Sequence, residues 1–169
     1  MPPLARVVLG FLLVLLDFRI DGLDLLPDLV GWVVVLTGLA PLSSRHFGFV
    51  VAAVAAGAEL VLSLFELTSP AGTVLSVLEV LATTTVIVAT CVAVAGVVAE
   101  PHTQERSQQV RTANLVMGLV ALAFVLIGAT GTEVDLPGGL ILLLALAGLG
   151  VVIWFLVFCW QQREEPALR

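Results

Sequence analysis

The sequence predicts an all-α protein, an integral membrane bundle of six transmembrane segments forming one domain. Three observations carry this. Of 169 residues, 60% are hydrophobic and only 12% charged, with a mean hydropathy of +1.15, whereas soluble domains run at about 45–50% apolar and about 25% charged. Seven basic and thirteen acidic residues cannot supply the polar exterior that a water-soluble fold of this size needs. Apolar runs at residues 47–67, 73–98, 113–129 and 140–160 approach or exceed the ~20 residues that cross ~30 Å of hydrocarbon. The longest polar interruption, residues 100–111, leaves little room for an extramembrane domain. A soluble enzyme, a nucleic-acid-binding domain and a disordered tail are excluded.

The predicted helices cover residues 3–18, 24–42, 46–67, 73–99, 111–131 and 137–160, with a tail at 161–169. The first begins with Arg6 and an apolar run, as a signal peptide does. The run ends at Asp17-Phe18-Arg19 with no small-residue cleavage site, so a retained first helix is expected. Its ~13 apolar residues make it short, either a span or a re-entrant leg paired with the second helix. Pro2 and Pro3 can start it early and Arg6 can snorkel, which favours spanning. Gly22 marks the turn after it, Asp24 is placed as the N-cap of the second helix, and Pro27 falls in its first turn. Pro41 sits in its last turn, and residues 43–46 turn into the third helix. Residues 70–72 and 136–139, rich in Pro and Gly, break the chain before the fourth and sixth.

Arginine sets the orientation. With six crossings, Arg6, Arg45, Arg106, Arg111, Arg163 and Arg169 fall on one face and Arg19 alone on the other, so both termini are expected in the cytoplasm. Trp154 and Trp160 then lie near the inner interface and Trp32 near the outer one.

The acids sort by face. Glu100, Glu105, Glu164 and Glu165 interleave with cytoplasmic arginines, while the other nine fall on the outer half. Glu59 lies inside the third helix, about 10 Å from its outer end at 1.5 Å per residue. Glu79 lies at nearly the same depth in the fourth. Acids at such depth cost a few kcal/mol when charged and usually face the bundle interior. Both sit on helical stripes of small or polar residues: Ala52, Ala56, Glu59, Ser63 and Glu66 on one helix, Ser76, Glu79, Thr83 and Thr90 on the next. A short turn makes these helices antiparallel, so the stripes are expected to face each other.

The expected site is an outward-opening acidic vestibule formed by the first four helices. Glu59 and Glu79 are its deepest members and share a proton; Ser63 and Thr83 flank them, with Asp17, Asp24, Asp28 and the lone cation Arg19 above. The plainer alternative is that each Glu is neutral and ties helices together through a Ser, a Thr or a carbonyl. Likewise Asp24 reads as a plain cap, and Arg19 as an ion pair with Asp17 or Asp21.

His46 and His102 show no metal-ligand spacing, and Cys91 and Cys159, inside apolar runs, are small fillers that form no disulfide framework. Asn114, Gly118, Ala121 and Gly128 make a close-packing face on the fifth helix. No hydrolase, P-loop or dinucleotide motif is present, and no cofactor is expected. No internal repeat marks the halves of a carrier.

The stretch Leu26-Pro27-Asp28, with Gly31-Trp32 after it between the first two apolar segments, resembles an element of small bacterial multi-pass membrane proteins that have no assigned activity. The resemblance covers roughly residues 17–45 and implies a bacterial inner membrane, without a chemistry. The expected function is passage of a proton, a small cation or a cationic solute through the acidic outer half, with lipid as the surroundings and a homo-oligomer expected. The alternative is a non-catalytic membrane subunit that docks a partner membrane protein through Gly/Ala-rich faces. A lipid-acting membrane enzyme comes third, with no motif behind it.

Overall fold

The computed structural model describes residues 1–15, 27–66, 72–131 and 137–168. These residues form six α-helices and no strand: α1 (Pro3–Leu15), α2 (Pro27–Leu39), α3 (Phe47–Glu66), α4 (Thr73–Val97), α5 (Pro101–Ala129) and α6 (Gly138–Gln162). Two 3-10 turns, Ala40–Leu42 and Pro166–Leu168, come after α2 and α6. The helices α3 to α6 are each long and apolar enough to cross a membrane, whereas α1 and α2 are shorter apolar helices. Asp17, Arg19, Asp21 and Asp24 lie outside the described residues, as do Glu133 and Asp135.

Each helix packs on its neighbour in the chain, and α6 returns to α1, closing a ring. The tightest crossing joins α1 to α2. A Cβ built on Gly10 would stand 2.6 Å from the Gly31 carbonyl oxygen, and one on Gly31 would stand 2.8 Å from the Gly10 oxygen. Only glycine lets the two backbones meet so closely. Phe11 then binds three helices together: its ring lies edge-on to Trp32 of α2 at 5.4 Å and to Phe155 of α6 at 5.3 Å, a favoured aromatic geometry.

The polar stretch expected as a loop before the fifth helix is instead helical from Pro101. Pro27 of α2 and Pro101 of α5 stand where a missing N–H costs nothing. In α5 the buried positions are Thr103, Ser107, Val110 and Asn114, spaced by three and four residues as one helix face requires. The face is polar because α4 offers carbonyls: the Ser107 hydroxyl donates to Cys91 O at 2.7 Å, and Asn114 Nδ2 donates to Thr84 O at 3.3 Å. Hydrogen bonds do here what aliphatic side chains do elsewhere.

Arginine contacts gather at one end of the bundle. Arg6 donates to Thr37 O at 3.4 Å, Arg45 to Ala167 O at 3.0 Å, and Arg106 to the Gln161 side chain. Arg163 lies 3.9 Å from the centre of the Trp160 ring. The turn at Pro166–Leu168 folds back beneath this end, with Leu168 buried. His46 starts α3 there: its Nδ1 accepts the Gly48 N–H at 2.9 Å, an N-cap made by an imidazole in place of the usual short oxygen side chain.

The two ends differ in packing. Toward the α5–α6 connection, most side chains of α5 and α6 are exposed, and the positions that a Cβ would take on Gly128, Gly139 and Gly150 meet nothing within 4 Å.

Candidate functional site

Glu59 is 4% exposed and buried among α3 and its neighbours. An acidic side chain so enclosed needs a hydrogen-bond partner, and α4 supplies one: the Thr83 hydroxyl donates to Glu59 Oε1. The two stripes therefore meet at these residues, as antiparallel neighbours joined by a short connection should. The contact lies between helices and far from either end of α4, which runs from Thr73 to Val97.

Glu79 lies one turn from Thr83 on α4, close enough in spacing for the two to share a face. It lines a cleft of about 390 Å³ between α4, α5 and α6, together with Thr83, Thr84 and Asn114. The opposite wall belongs to α6 and is apolar, formed by Leu144, Gly148, Val151 and Val152. Gly118 is what admits the polar wall: a Cβ there would stand 2.6 Å from Thr84 Oγ1. Thr83 thus belongs to both environments, touching the sealed carboxyl on one side and the open cleft on the other.

The vestibule expected from the first four helices includes Asp17, Arg19 and Asp24, which lie outside the described residues. Glu79 lines a cleft whose residues belong to α4, α5 and α6, and no described residue of α1, α2 or α3 lines that cleft. Glu59 does not open into it. Ser63 turns to the backbone; its hydroxyl donates to the Glu59 main-chain oxygen at 2.9 Å, one turn back along the same helix. Such back-bonding is the usual outlet for a serine inside a helix. Asp28 sits half-buried in the first turn of α2, where the helix dipole favours a negative charge, and it is not a cleft residue. Asp17, Arg19 and Asp24 fall outside the described residues.

Asn114, Thr84 and the α6 wall were not among the expected site residues. Asn114 carried a usable signal, being an amide at the head of an apolar run; the α6 wall carried none, because leucines and valines surround that helix on every side. Among the described residues no three His, Cys, Asp or Glu side chains converge as a metal site would require. One further polar group stands apart: Thr90 is fully buried, two turns along α4 from Thr83, and its hydroxyl has no hydrogen-bond partner among the described residues.

Compared with known protein families, curated proteins and solved structures, the chain matches none.

Proposed function

We propose that the chain is an integral inner-membrane protein of six helices that moves protons through the acid site of α3 and α4. The observation that carries this reading is Thr83, whose hydroxyl donates to the sealed Glu59 while the residue also lines the cleft that holds Glu79. A hydroxyl can accept a proton on one lone pair while giving up its own. In this reading a protonated Glu79 passes its proton to the Thr83 oxygen, which gives its own hydroxyl proton to the Glu59 carboxylate, bringing a proton from the cleft to the bundle interior. A carboxyl kept at membrane depth is costly and is usually retained for a proton or ion pathway.

The arginine contacts at one end support a cytoplasmic location for both termini, in line with the bias of basic residues toward that side. The Leu26-Pro27-Asp28 element at the start of α2 points to a bacterial membrane. The helices α1 and α2, locked at Gly10 and Gly31, act as one paired unit, whether each crosses fully or the pair dips and returns.

The test is proton flux into liposomes holding the purified protein, driven by a pH step. The wild type carries protons, and Glu59→Gln and Glu79→Gln each reduce the flux to that of empty liposomes. Unchanged flux in both variants contradicts the relay.

A second reading is favoured by the exposed halves of α5 and α6, where Gly128, Gly139 and Gly150 have open space around them. There the chain is a subunit whose small-residue faces receive another membrane helix, and Glu59 only ties α3 to α4. Proton flux absent from the wild type, with intact folding, favours this second reading.

A further inference from the structure

After α6 ends at Gln162, with Arg163 as its cap, the chain folds back in the Pro166–Leu168 turn beneath the arginine end of the bundle. One side chain anchors this turn from within. Leu168 is 1% exposed and joins the core cluster that holds Val94 and Val98, at the end of α4. At the surface, the exposed Arg45 donates to Ala167 O at 3.0 Å, and the Leu168 N–H closes the turn on Glu165 O at 2.9 Å. Glu164 and Pro166 stay exposed. A segment held by one buried side chain and by hydrogen bonds at the surface belongs to the low-stability end of a fold, the part that opens locally while the rest stays packed.

The core at this end is not fully satisfied. Two buried polar atoms have no hydrogen-bond partner among the described residues: Thr90 Oγ1 of α4 and Gln162 Oε1, on the last residue of α6. Thr90 lies seven residues before Val97, where α4 ends, or about 10 Å along the helix at 1.5 Å per residue. A polar group that loses water on burial and gains no partner destabilises the closed arrangement. Opening of the turn gives up the burial of Leu168 and the Arg45 contact, and water then partners both polar atoms. These opposing effects bring the open and closed arrangements close in free energy.

We propose that the Pro166–Leu168 turn is a strap, closed in this structure over the arginine end of the bundle, whose opening admits water to the ends of α4 and α6. The chain carries two reporters of that opening. Cys91, next to Thr90, and Cys159, three residues before Gln162, are free thiols with no solvent exposure. The inference concerns access to the core from this end and stands apart from the proton relay, since it is read by thiol access and not by flux.

The test labels the full chain in detergent with iodoacetamide, a small water-borne thiol reagent, and follows each cysteine by the mass of its peptide. Leu62→Cys, near the other end of α3 at a buried position, supplies a third thiol as an internal reference. With the strap closed all three label slowly. Leu168→Ser raises the rates at Cys91 and Cys159 about tenfold or more, as loss of one buried leucine side chain allows, and leaves the reference thiol slow. Arg45→Gln, which removes the guanidinium and leaves the core intact, gives a smaller rise with the same pattern, and it decides the matter if Leu168→Ser does not elute as a folded species. Unchanged rates at Cys91 and Cys159 overturn the strap. An equal rise at the reference thiol also overturns it, because the turn is then one more part of a bundle that loosens as a whole.

Discussion

The Thr83 hydroxyl of α4 donates its hydrogen bond to the Glu59 carboxyl of α3. This bond joins the acid stripe of α3 to the threonine stripe of α4 and fixes which faces of these helices meet. Replacing Thr83 with Val keeps the shape and removes the donor, leaving a buried carboxyl short of one partner. Loss of one partner of a buried polar group costs about 1–3 kcal/mol. Thermal unfolding in a fixed detergent should register that loss for Thr83→Val and recover most of it for Thr83→Ser.

Thr90 predicts the opposite sign. Its hydroxyl is fully buried with no partner among the described residues, so Thr90→Val exchanges an unsatisfied polar group for a methyl of similar size. The variant should gain about 1 kcal/mol, seen as a higher midpoint in the same unfolding assay. A loss of stability would mean that the hydroxyl has a bound water or another acceptor.

At the crossing of α1 and α2 there is no room for a side chain. Gly31→Val would set its Cβ 2.8 Å from the Gly10 carbonyl oxygen, a backbone atom that cannot swing aside. Overpacking of this kind costs about 1–3 kcal/mol or more, and here it should separate the pair. Size-exclusion chromatography of the detergent-solubilised variant should show a broadened or aggregated species, while Gly57→Ala, with open space at its Cβ, should elute as the wild type does.

The imidazole cap of α3 gives a fourth expectation. His46 Nδ1 accepts the Gly48 N–H, and losing an N-cap costs about 0.5–2 kcal/mol. His46→Ala should lower the unfolding midpoint, and His46→Asn, which can accept the same hydrogen bond through its side-chain oxygen, should restore most of it.

The bundle was legible where polarity is scarce. Glutamates, serines and threonines in long apolar runs stand out at helical spacing, and that spacing was enough to bring α3 and α4 face to face at Glu59 and Thr83. The start of α5 was hidden by the same rule. Thr103 and Ser107 look like surface residues until α4 offers a carbonyl to Ser107, so this part of the helix reads as a loop on hydropathy alone. The cleft was hidden for a different reason. Its far wall is α6, whose leucines and valines point in every direction and give no sign of which face turns inward. Gly118 also looked like one more small residue for close packing, whereas its particular work is to admit the Thr84 hydroxyl.

A double-mutant cycle on proton flux, using Glu59→Gln, Glu79→Gln and the two together in reconstituted liposomes, bears on the relay without an intermediary. Residues that act as consecutive steps of one path are strongly non-additive. A single path requires that either substitution alone removes the flux and that the pair removes no more. Partial losses that multiply in the double variant would mean two independent groups, and no path would then run from Glu79 through Thr83 to Glu59.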